Sequence, residues 1–221
     1  MQLVRVGVYG AAGYAGLDLV EILAGHPQVE IVFATSGTFT GQPVPGTSLR
    51  YIGADAADLA AVDVVFLALP HKVSAPVAAR ALAQGVKVID LLADLRLNTP
   101  ADYKRWYGIE HPNPELLPVP YGLPEINRGR LRGANVVAAP GCYPTTTLLG
   151  VYPLLKARAL EPDAPVIVDA KSGVSGAGRE PKPTCTLSRC SAISRLITPA
   201  AFTGTWARLS RKWPNSARLA R

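Results

Sequence analysis

The stretch "LVRVGVYGAAGYAGLDLVEILAG", Leu3 to Gly25, decides the fold of this chain. Its first eight residues are mainly apolar and end at Gly10, a pattern typical of a buried strand. Apolar residues then recur at helical spacing from Leu17 to Leu23, and Gly25 would end that helix. Strand, glycine-rich turn and helix in this order predict the first unit of a dinucleotide-binding sheet.

The turn between the two elements has the spacing Gly-x-x-Gly-x-x-Gly, with glycines at Gly10, Gly13 and Gly16. Glycines permit a tight turn and let the backbone N–H groups at the start of the helix approach a pyrophosphate. We therefore predict that these three glycines, together with Tyr14 in the same turn, bind the cofactor. The alternative is a glycine turn that serves packing alone.

The second predicted strand, "VEIVFATS", bears on the choice of cofactor. An NAD site usually has an acidic residue at the end of this strand, on the ribose hydroxyl. Thr35 and Ser36 stand there instead, leaving room for a 2′-phosphate, and Arg50 offers a counter-charge. This pattern favours NADP, and the residues Thr35 and Ser36 are predicted to contact it. The alternative is that both residues only begin a loop.

The elements that follow extend the same pattern. Further strands are predicted at "VDVVFLALP", "VKVIDLLA" and "NVVAAPG", with helices at "SAPVAARALAQG" and "TTTLLGVYPLLKAR". The segment from Asn98 to Asn127 is predicted as loops with a short helix, and "PVIVDAKSGVSGAGR" as a strand entering a glycine-rich loop. Solidly apolar strands that alternate with helices predict an α/β fold, a Rossmann-type doubly wound parallel sheet.

The net charge of +7 comes from the C-terminal segment. Residues 181–221 contain eight of the 23 basic residues and none of the 16 acidic ones, so the other 180 residues carry a net charge of −1. We therefore predict no nucleic-acid partner for the main body.

No apolar run is long enough to span a membrane, and the start does not resemble a signal peptide. Three cysteines without paired spacing indicate neither a disulfide framework nor a metal site, and we predict a cytoplasmic protein.

"AAPGCYPTTTLLG", Ala138 to Gly150, places Cys142 between a predicted strand and a predicted helix. N–H groups at the start of a helix favour the thiolate form of a cysteine. In a dinucleotide-binding chain, a thiolate suggests attack on an acyl group and hydride delivery to the resulting thioester. From spacing alone, an inert and packed Cys142 is an equal alternative.

Six segments in unbroken order resemble the N-acetyl-gamma-glutamyl-phosphate reductases, the NADPH enzymes of arginine biosynthesis. They are "GAAGYAG", "LALPHKVS", "VIDLLADLRL", "YGLPE", "APGCYPT" and "KSGVSGAGR", and the likeness runs from Met1 to about Pro183. The resemblance implies that Cys142 is the nucleophile, that the loop with Ser175 and Gly176 closes over the cofactor, and that subunits form a homotetramer. It also implies that Arg96 binds a substrate anion; the alternative is a surface arginine paired with Asp94.

Other readings stay open at this point. Aspartate-semialdehyde dehydrogenases use the same thioester chemistry, and the carrier-protein-linked aminoadipyl phosphate reductase of lysine biosynthesis closely resembles the arginine enzyme. A different class is a non-catalytic dinucleotide-binding protein whose basic tail binds an acidic partner.

One part of the family pattern is missing. The family supplies an acid–base histidine in a His-Arg-His segment, whereas His26, His71 and His111 match no such position and are predicted to have surface or loop roles. With one permitted codon choice, Phe202 onward read from the third base of its codon gives His-Arg-His-Val-Gly-Glu-Ile-Glu-Gln-Glu-Val. Our hypothesis is a frame shift between Arg179 and Phe202. The alternative is a natural short relative.

These readings predict three parts in the chain: an NADP-binding domain at residues 1–141, the start of an incomplete α+β catalytic domain at 142–183, and an out-of-frame, poorly ordered basic tail at 184–221. On this hypothesis the chain as written is catalytically impaired.

Overall fold

The structure, a computed structural model, describes residues 2–160 and 166–179. The predictions for the basic tail at 184–221, including its order and the inert roles expected for Cys185 and Cys190, lie outside the described residues. Among the helices described, none is long and apolar enough to cross a membrane.

The described chain alternates strands and helices from its start. The strands are β1 (Val4–Tyr9), β2 (Val29–Ala34), β3 (Val64–Leu67), β4 (Lys87–Asp90) and β5 (Val136–Ala138). The helices are α1 (Tyr14–Ala24), α2 (Ser74–Ala83), α3 (Pro100–Tyr107), α4 (Pro124–Leu131) and α5 (Cys142–Lys156). Short 3-10 helices occur at Ala54–Ala56, Leu59–Ala61, Pro114–Leu116 and Val174–Ala177.

The five strands form one parallel sheet in the order β2-β1-β3-β4-β5. The chain leaves β1 toward one side to form β2 and returns to the other side to form β3. The strand order therefore reverses between β1 and β3, and in such sheets ligands bind outside the carboxyl ends of the strands at this point. The α/β class and the doubly wound parallel sheet are confirmed.

Apolar side chains of β1 point alternately to the two faces of the sheet. Val6 and Val8 belong to a buried cluster that includes Val20 and Leu23 of α1. Tyr9 belongs to a second cluster that includes Phe33, Val65 and Leu67 of the neighbouring strands and Ala75, Val77, Ala78 and Ala81 of α2. Consecutive helices thus cover opposite faces, which explains why the strands read as solidly apolar.

Both edges of the sheet are bonded to loop segments near their carboxyl ends. Beside β2, Ile52 donates its N–H to the carbonyl of Ala34 (3.1 Å), and its own carbonyl accepts from the N–H of Ser36 (3.0 Å). Beside β5, the N–H of Ala138 donates to Pro120 and its carbonyl accepts from Gly122. These contacts extend the hydrogen bonding of the sheet by single bridges rather than by further strands.

The chain divides into two compact units. The first contains the whole sheet and comprises Met1–Thr99 and His111–Ala139. The second contains Pro100–Glu110 and the chain from Pro140 onward, and its described elements are α3, α5 and the 3-10 helix Val174–Ala177. The predicted boundaries at 1–141, 142–183 and 184–221 stay predictions.

Two segments differ from the elements expected from the sequence. Residues 166–170 of "PVIVDA" form no strand, and Ile167 is 88% exposed. An extended segment becomes a strand only when a neighbour exchanges backbone hydrogen bonds with it, and none of the described residues does so here. Helix α4 was not expected, because its mixture of Pro, Gly and charged residues carries no apolar period.

Candidate functional site

The glycine turn after β1 is shaped by two positions that exclude a side chain. Gly10 has φ +71°, and a Cβ atom there would lie 2.2 Å from the carbonyl oxygen of Ala68. A Cβ atom on the buried Gly16 would lie 2.4 Å from the carbonyl oxygen of Gly10. Glycine at these positions is required by the turn and by the close packing of α1 on β1.

Gly13 differs because the protein does not crowd it. It precedes α1 as its N-terminal capping residue and is exposed, and an added Cβ would meet only the Gly10 carbonyl oxygen at 3.6 Å. No side chain caps α1, and its first turn contains no acidic residue. An open approach to the N-terminus of an eleven-residue helix suits an anionic group. Tyr14, the first residue of α1, is 46% exposed beside this approach.

Thr35 and Ser36 at the end of β2 are buried and brace the backbone. The Thr35 hydroxyl accepts a hydrogen bond from the N–H of Gly10 (3.2 Å), and the Ser36 hydroxyl accepts one from the N–H of Phe39 (3.1 Å). Arg50 is exposed and donates to the Gly41 carbonyl (2.7 Å). Sequence reasoning missed the bond between Thr35 and the glycine turn, because it joins residues 25 positions apart. The predicted contacts of these residues with a cofactor stay predictions.

Two buried carboxyl groups follow β4 in the segment "DLLADLR". Asp90 accepts from the N–H groups of Leu92 (3.3 Å) and Leu95 (3.2 Å). Burial raises the pKa of Asp90, against the opposing effect of hydrogen bonds from Leu92 and Ser74. Sequence reasoning did not single out this residue, although an aspartate at the carboxyl end of an apolar strand was the available signal.

Asp94 connects the loop after β4 with the loop after β3. Its carboxylate accepts from the N–H groups of Lys72 (2.9 Å) and Ala75 (3.3 Å), and the Nδ1 atom of His71 lies 3.6 Å from it. Burial opposes ionisation, but the hydrogen bonds from His71, Lys72 and Ala75 together lower the pKa of Asp94 below its ordinary value. The side chain is 1% exposed, so this is a buried carboxylate that stabilises the start of α2.

Arg96 is partly buried and bonds to the backbone. Its Nε atom donates to the carbonyl of Ala139 (2.8 Å) and its Nη2 atom to the carbonyl of Leu91 (2.6 Å). In the described chain it forms no ion pair with Asp94, the partner considered in the alternative reading. The arginine therefore ties the end of β5 to the end of β4. Its predicted role with a substrate anion stays a prediction.

The three histidines lie in loops or at element ends. His26 and His71 are exposed, whereas His111 is only 8% exposed. The Nδ1 atom of His111 accepts from the N–H of Asn113 (3.1 Å), so its Nε2 atom is the donor to the backbone carbonyl of Asp94. His111 is thus a loop residue, as expected, but a buried one that holds the segment around Asp94.

Cys142 is the first residue of α5 and its thiol is exposed. Gly141 caps the helix without a side-chain bond, and the first turn contains no acidic residue. The hydroxyls of Thr145 and Thr146 donate back to the carbonyls of Gly141 (2.9 Å) and Cys142 (3.0 Å). The exposed thiol does not fit the alternative of a packed cysteine, and the predicted role of Cys142 as the nucleophile stays a prediction.

The glycine-rich loop that was expected to close over the cofactor lies in the second unit. Val174–Ala177 form a 3-10 turn, Ser175 and Gly176 are exposed, and Gly178 has φ +87°. The described groups contain no cluster of His, Cys, Asp or Glu that could hold a metal ion. The predicted cofactor contacts of Ser175 and Gly176 stay predictions.

The parallel sheet and its glycine turn define a dinucleotide-binding protein of the α/β class. The comparisons with known proteins give the family. Residues 5–134 match the model of the semialdehyde dehydrogenase NAD binding domain, and residues 142–196 match the model of the semialdehyde dehydrogenase dimerisation domain. The chain belongs to the semialdehyde dehydrogenase family.

Curated relatives are named N-acetyl-gamma-glutamyl-phosphate reductase. One from Moorella thermoacetica is 46% identical over 85% of this chain and 57% of its own length. One from Pseudomonas syringae is 48% identical over 80% of this chain and 54% of its own length. The resemblance predicted from the six motifs is confirmed, and the chain spans a little over half the length of these relatives.

A solved structure shows the same fold. Aspartate semialdehyde dehydrogenase II from Vibrio cholerae superimposes with a TM-score of 0.53 at 23% identity, over 71% of this chain and 48% of that one.

Proposed function

We propose that the function of the chain is the NADPH-dependent reduction of N-acetyl-gamma-glutamyl phosphate to its semialdehyde, a step of arginine biosynthesis. The catalytic impairment predicted for the chain as written stays a prediction. The observation that carries this proposal is the exposed thiol of Cys142 at the start of α5, in a chain nearly half identical to reductases of that name. We further propose a cytoplasmic homo-oligomer, supported by the match of residues 142–196 to a dimerisation domain.

Cys142 would perform the covalent step. Its thiolate attacks the acyl carbon of the acyl phosphate, the bond between that carbon and the phosphate oxygen breaks, and phosphate leaves, giving a thioester on Sγ. The bound dinucleotide would supply the hydride that reduces this thioester to the aldehyde. The aldehyde is released as the carbon–sulfur bond breaks, and the electron pair of that bond returns to Sγ at the start of α5. Arg96 is the proposed contact for a substrate anion.

The first unit would hold the cofactor. The open side of Gly13 and the uncapped start of α1 fit a pyrophosphate, with Gly10, Gly16 and Tyr14 shaping its surroundings. The loop with Ser175 and Gly176 would add contacts. A preference for NADP is supported by the end of β2, which has Thr35 and Ser36 where a carboxylate would exclude a 2′-phosphate.

Thiol labelling of the full chain tests the proposal. We expect iodoacetamide near neutral pH to modify Cys142 at least about tenfold faster than Cys185 and Cys190, because the proposed nucleophile is exposed at the start of α5. The acyl phosphate should protect Cys142 from modification, and Cys142→Ser should abolish phosphate release. Cys185→Ser is the matched control and should release phosphate as the wild type does. Equal and slow labelling of all three cysteines would refute the proposal and favour a non-catalytic dinucleotide-binding protein.

A further inference from the structure

His71 lies in the loop that leaves β3 at the carboxyl edge of the sheet, and its side chain is 54% exposed. The proposed reaction assigns no role to His71. Its Nδ1 atom lies 3.6 Å from the Asp94 carboxylate, which belongs to the loop after β4. An imidazole that turns Nδ1–H toward a carboxylate carries Nε2 on the opposite side of the ring.

Asp94 fixes the backbone of the same loop. It accepts from the N–H groups of Lys72 and Ala75, and Lys72 has the unfavourable φ of +69°. A left-handed conformation at a residue other than glycine is unfavourable and persists only where the surroundings impose it. The buried carboxylate therefore holds both the loop and the ring of His71 in one arrangement.

The loop that carries His71 starts against the glycine turn. The N–H of Ala68 donates to the carbonyl of Tyr9 (2.9 Å), and the carbonyl oxygen of Ala68 contacts Gly10 so closely that no Cβ fits between them. His71 follows three residues later. An exposed imidazole, with the exposed Lys72 beside it, thus lies on the loop whose first residue, Ala68, contacts the glycine turn before α1.

We propose that His71 donates a hydrogen bond through Nε2 to a phosphate group of the dinucleotide bound at the glycine turn, and that Asp94 acts as its positioning residue. This inference rests on the proposed cofactor site. A neutral ring that donates Nδ1–H to Asp94 presents a lone pair at Nε2, whereas a protonated ring presents a donor. Dinucleotide affinity should therefore rise as the pH falls and the ring takes up a proton.

Other charges act on His71 as well. Asp94 faces it from the loop after β4, and Lys72 is adjacent in its own loop. The charges of Asp94 and Arg96 act in turn on Asp90 at the end of β4. Asp94 and Lys72 both leave Nε2 of His71 as a donor only in the protonated ring, so the affinity for the dinucleotide should still depend on pH.

The test is NADPH binding to the full chain, followed by cofactor fluorescence at about pH 6 and about pH 8.5. His71→Gln keeps a polar group of similar reach but cannot become charged. We expect it to weaken binding about five- to tenfold at the lower pH and to abolish the change in affinity with pH. Asp94→Asn should weaken the pH dependence in part. His26→Gln, at an exposed site after α1, is the matched control and should bind as the wild type does.

The outcomes distinguish a contact of His71 with the dinucleotide phosphate from a contact with the acyl phosphate substrate. Unchanged NADPH affinity and pH dependence in His71→Gln would overturn the assignment. If the variant instead raised the KM for the acyl phosphate alone, the contact would belong to the substrate, which also overturns it. Failure of the wild-type chain to bind NADPH would refute the proposed cofactor site itself. Circular dichroism of each variant shows that the comparison is made between folded proteins.

Discussion

Replacing Gly16 with alanine should destabilise the first unit, whereas replacing Gly13 should leave it folded. At Gly16 the new methyl group would lie 2.4 Å from the Gly10 carbonyl oxygen and 2.8 Å from the Cα atom of Ala11. Both neighbours are backbone atoms, so no side chain can rotate away. The distance to the oxygen must open from 2.4 Å to at least 3.0 Å, which moves α1 away from β1.

The magnitude follows from two opposing effects. Forcing an extra methyl group into a packed interior costs about 1–3 kcal/mol, and contact with rigid backbone favours the upper part of that range. Alanine in place of glycine within a helix returns about 0.5–1 kcal/mol. The net loss is about 2 kcal/mol, which lowers the melting temperature of a chain of this size by about 4–8 °C.

Gly13→Ala supplies the matched comparison. Its Cβ atom meets ordinary van der Waals contact at 3.6 Å, and the φ of −70° suits any residue. Loss of the glycine cap costs about 0.5–1 kcal/mol. The methyl group would, however, obstruct the approach of a pyrophosphate to α1, so NADPH affinity should fall at least about tenfold.

The assay is thermal unfolding followed by circular dichroism, together with NADPH titration of each folded variant. A Gly16→Ala variant that melts within about a degree of the wild type would refute the steric argument. A Gly13→Ala variant that binds NADPH normally would refute the assignment of its open side to the cofactor.

Two further substitutions test the buried polar groups beside the sheet. Asp94→Asn should cost about 1–3 kcal/mol at neutral pH; because its pKa is lowered on folding, the stabilisation is present above its ordinary value of 3.8 and is lost as the pH falls below it. The fall in melting temperature between about pH 5 and pH 2 should therefore be shallower in this variant than in an Asp18→Asn control. Arg96→Lys keeps the charge, but a single ammonium group cannot replace the Nε and Nη2 donors that bond the carbonyls of Ala139 and Leu91. The free energy of unfolding measured in urea should fall by about 0.5–1.5 kcal/mol. Unchanged stability with a raised KM for the acyl phosphate would instead support a direct anion contact.

Local patterns in the sequence were sufficient to predict the sheet. The apolar runs of β1 to β5 and the glycines between β1 and α1 are constraints that act within a few residues, and each is visible in the printed chain. The position of Cys142 at the start of α5 was predictable for the same reason. The failed strand at residues 166–170 shows the limit, since a strand depends on a partner that local composition does not reveal.

The polar contacts beside the sheet were not predictable, because they join residues that are distant in the chain. Three contacts depend on the order of the strands: the bond from Gly10 to Thr35, the bond from Arg96 to Ala139, and the bond by which Asp94 caps α2. Sequence reasoning placed Arg96 near a substrate anion and left Asp94 as its surface partner. The structure shows Asp94 buried instead, with its carboxylate bonded to backbone N–H groups of the loop after β3 and the start of α2.

The loop segments bonded to the two edges of the sheet bear on how the protein behaves at high concentration. An open edge presents unpaired N–H and C=O groups on which another chain can add a strand, the usual start of ordered aggregates. Here Ile52 occupies those groups beside the end of β2, and Pro120 and Gly122 occupy them beside the end of β5. Both edges thus have these groups occupied at their carboxyl ends, so strand addition by another chain would have to begin on the earlier residues of β2 or β5.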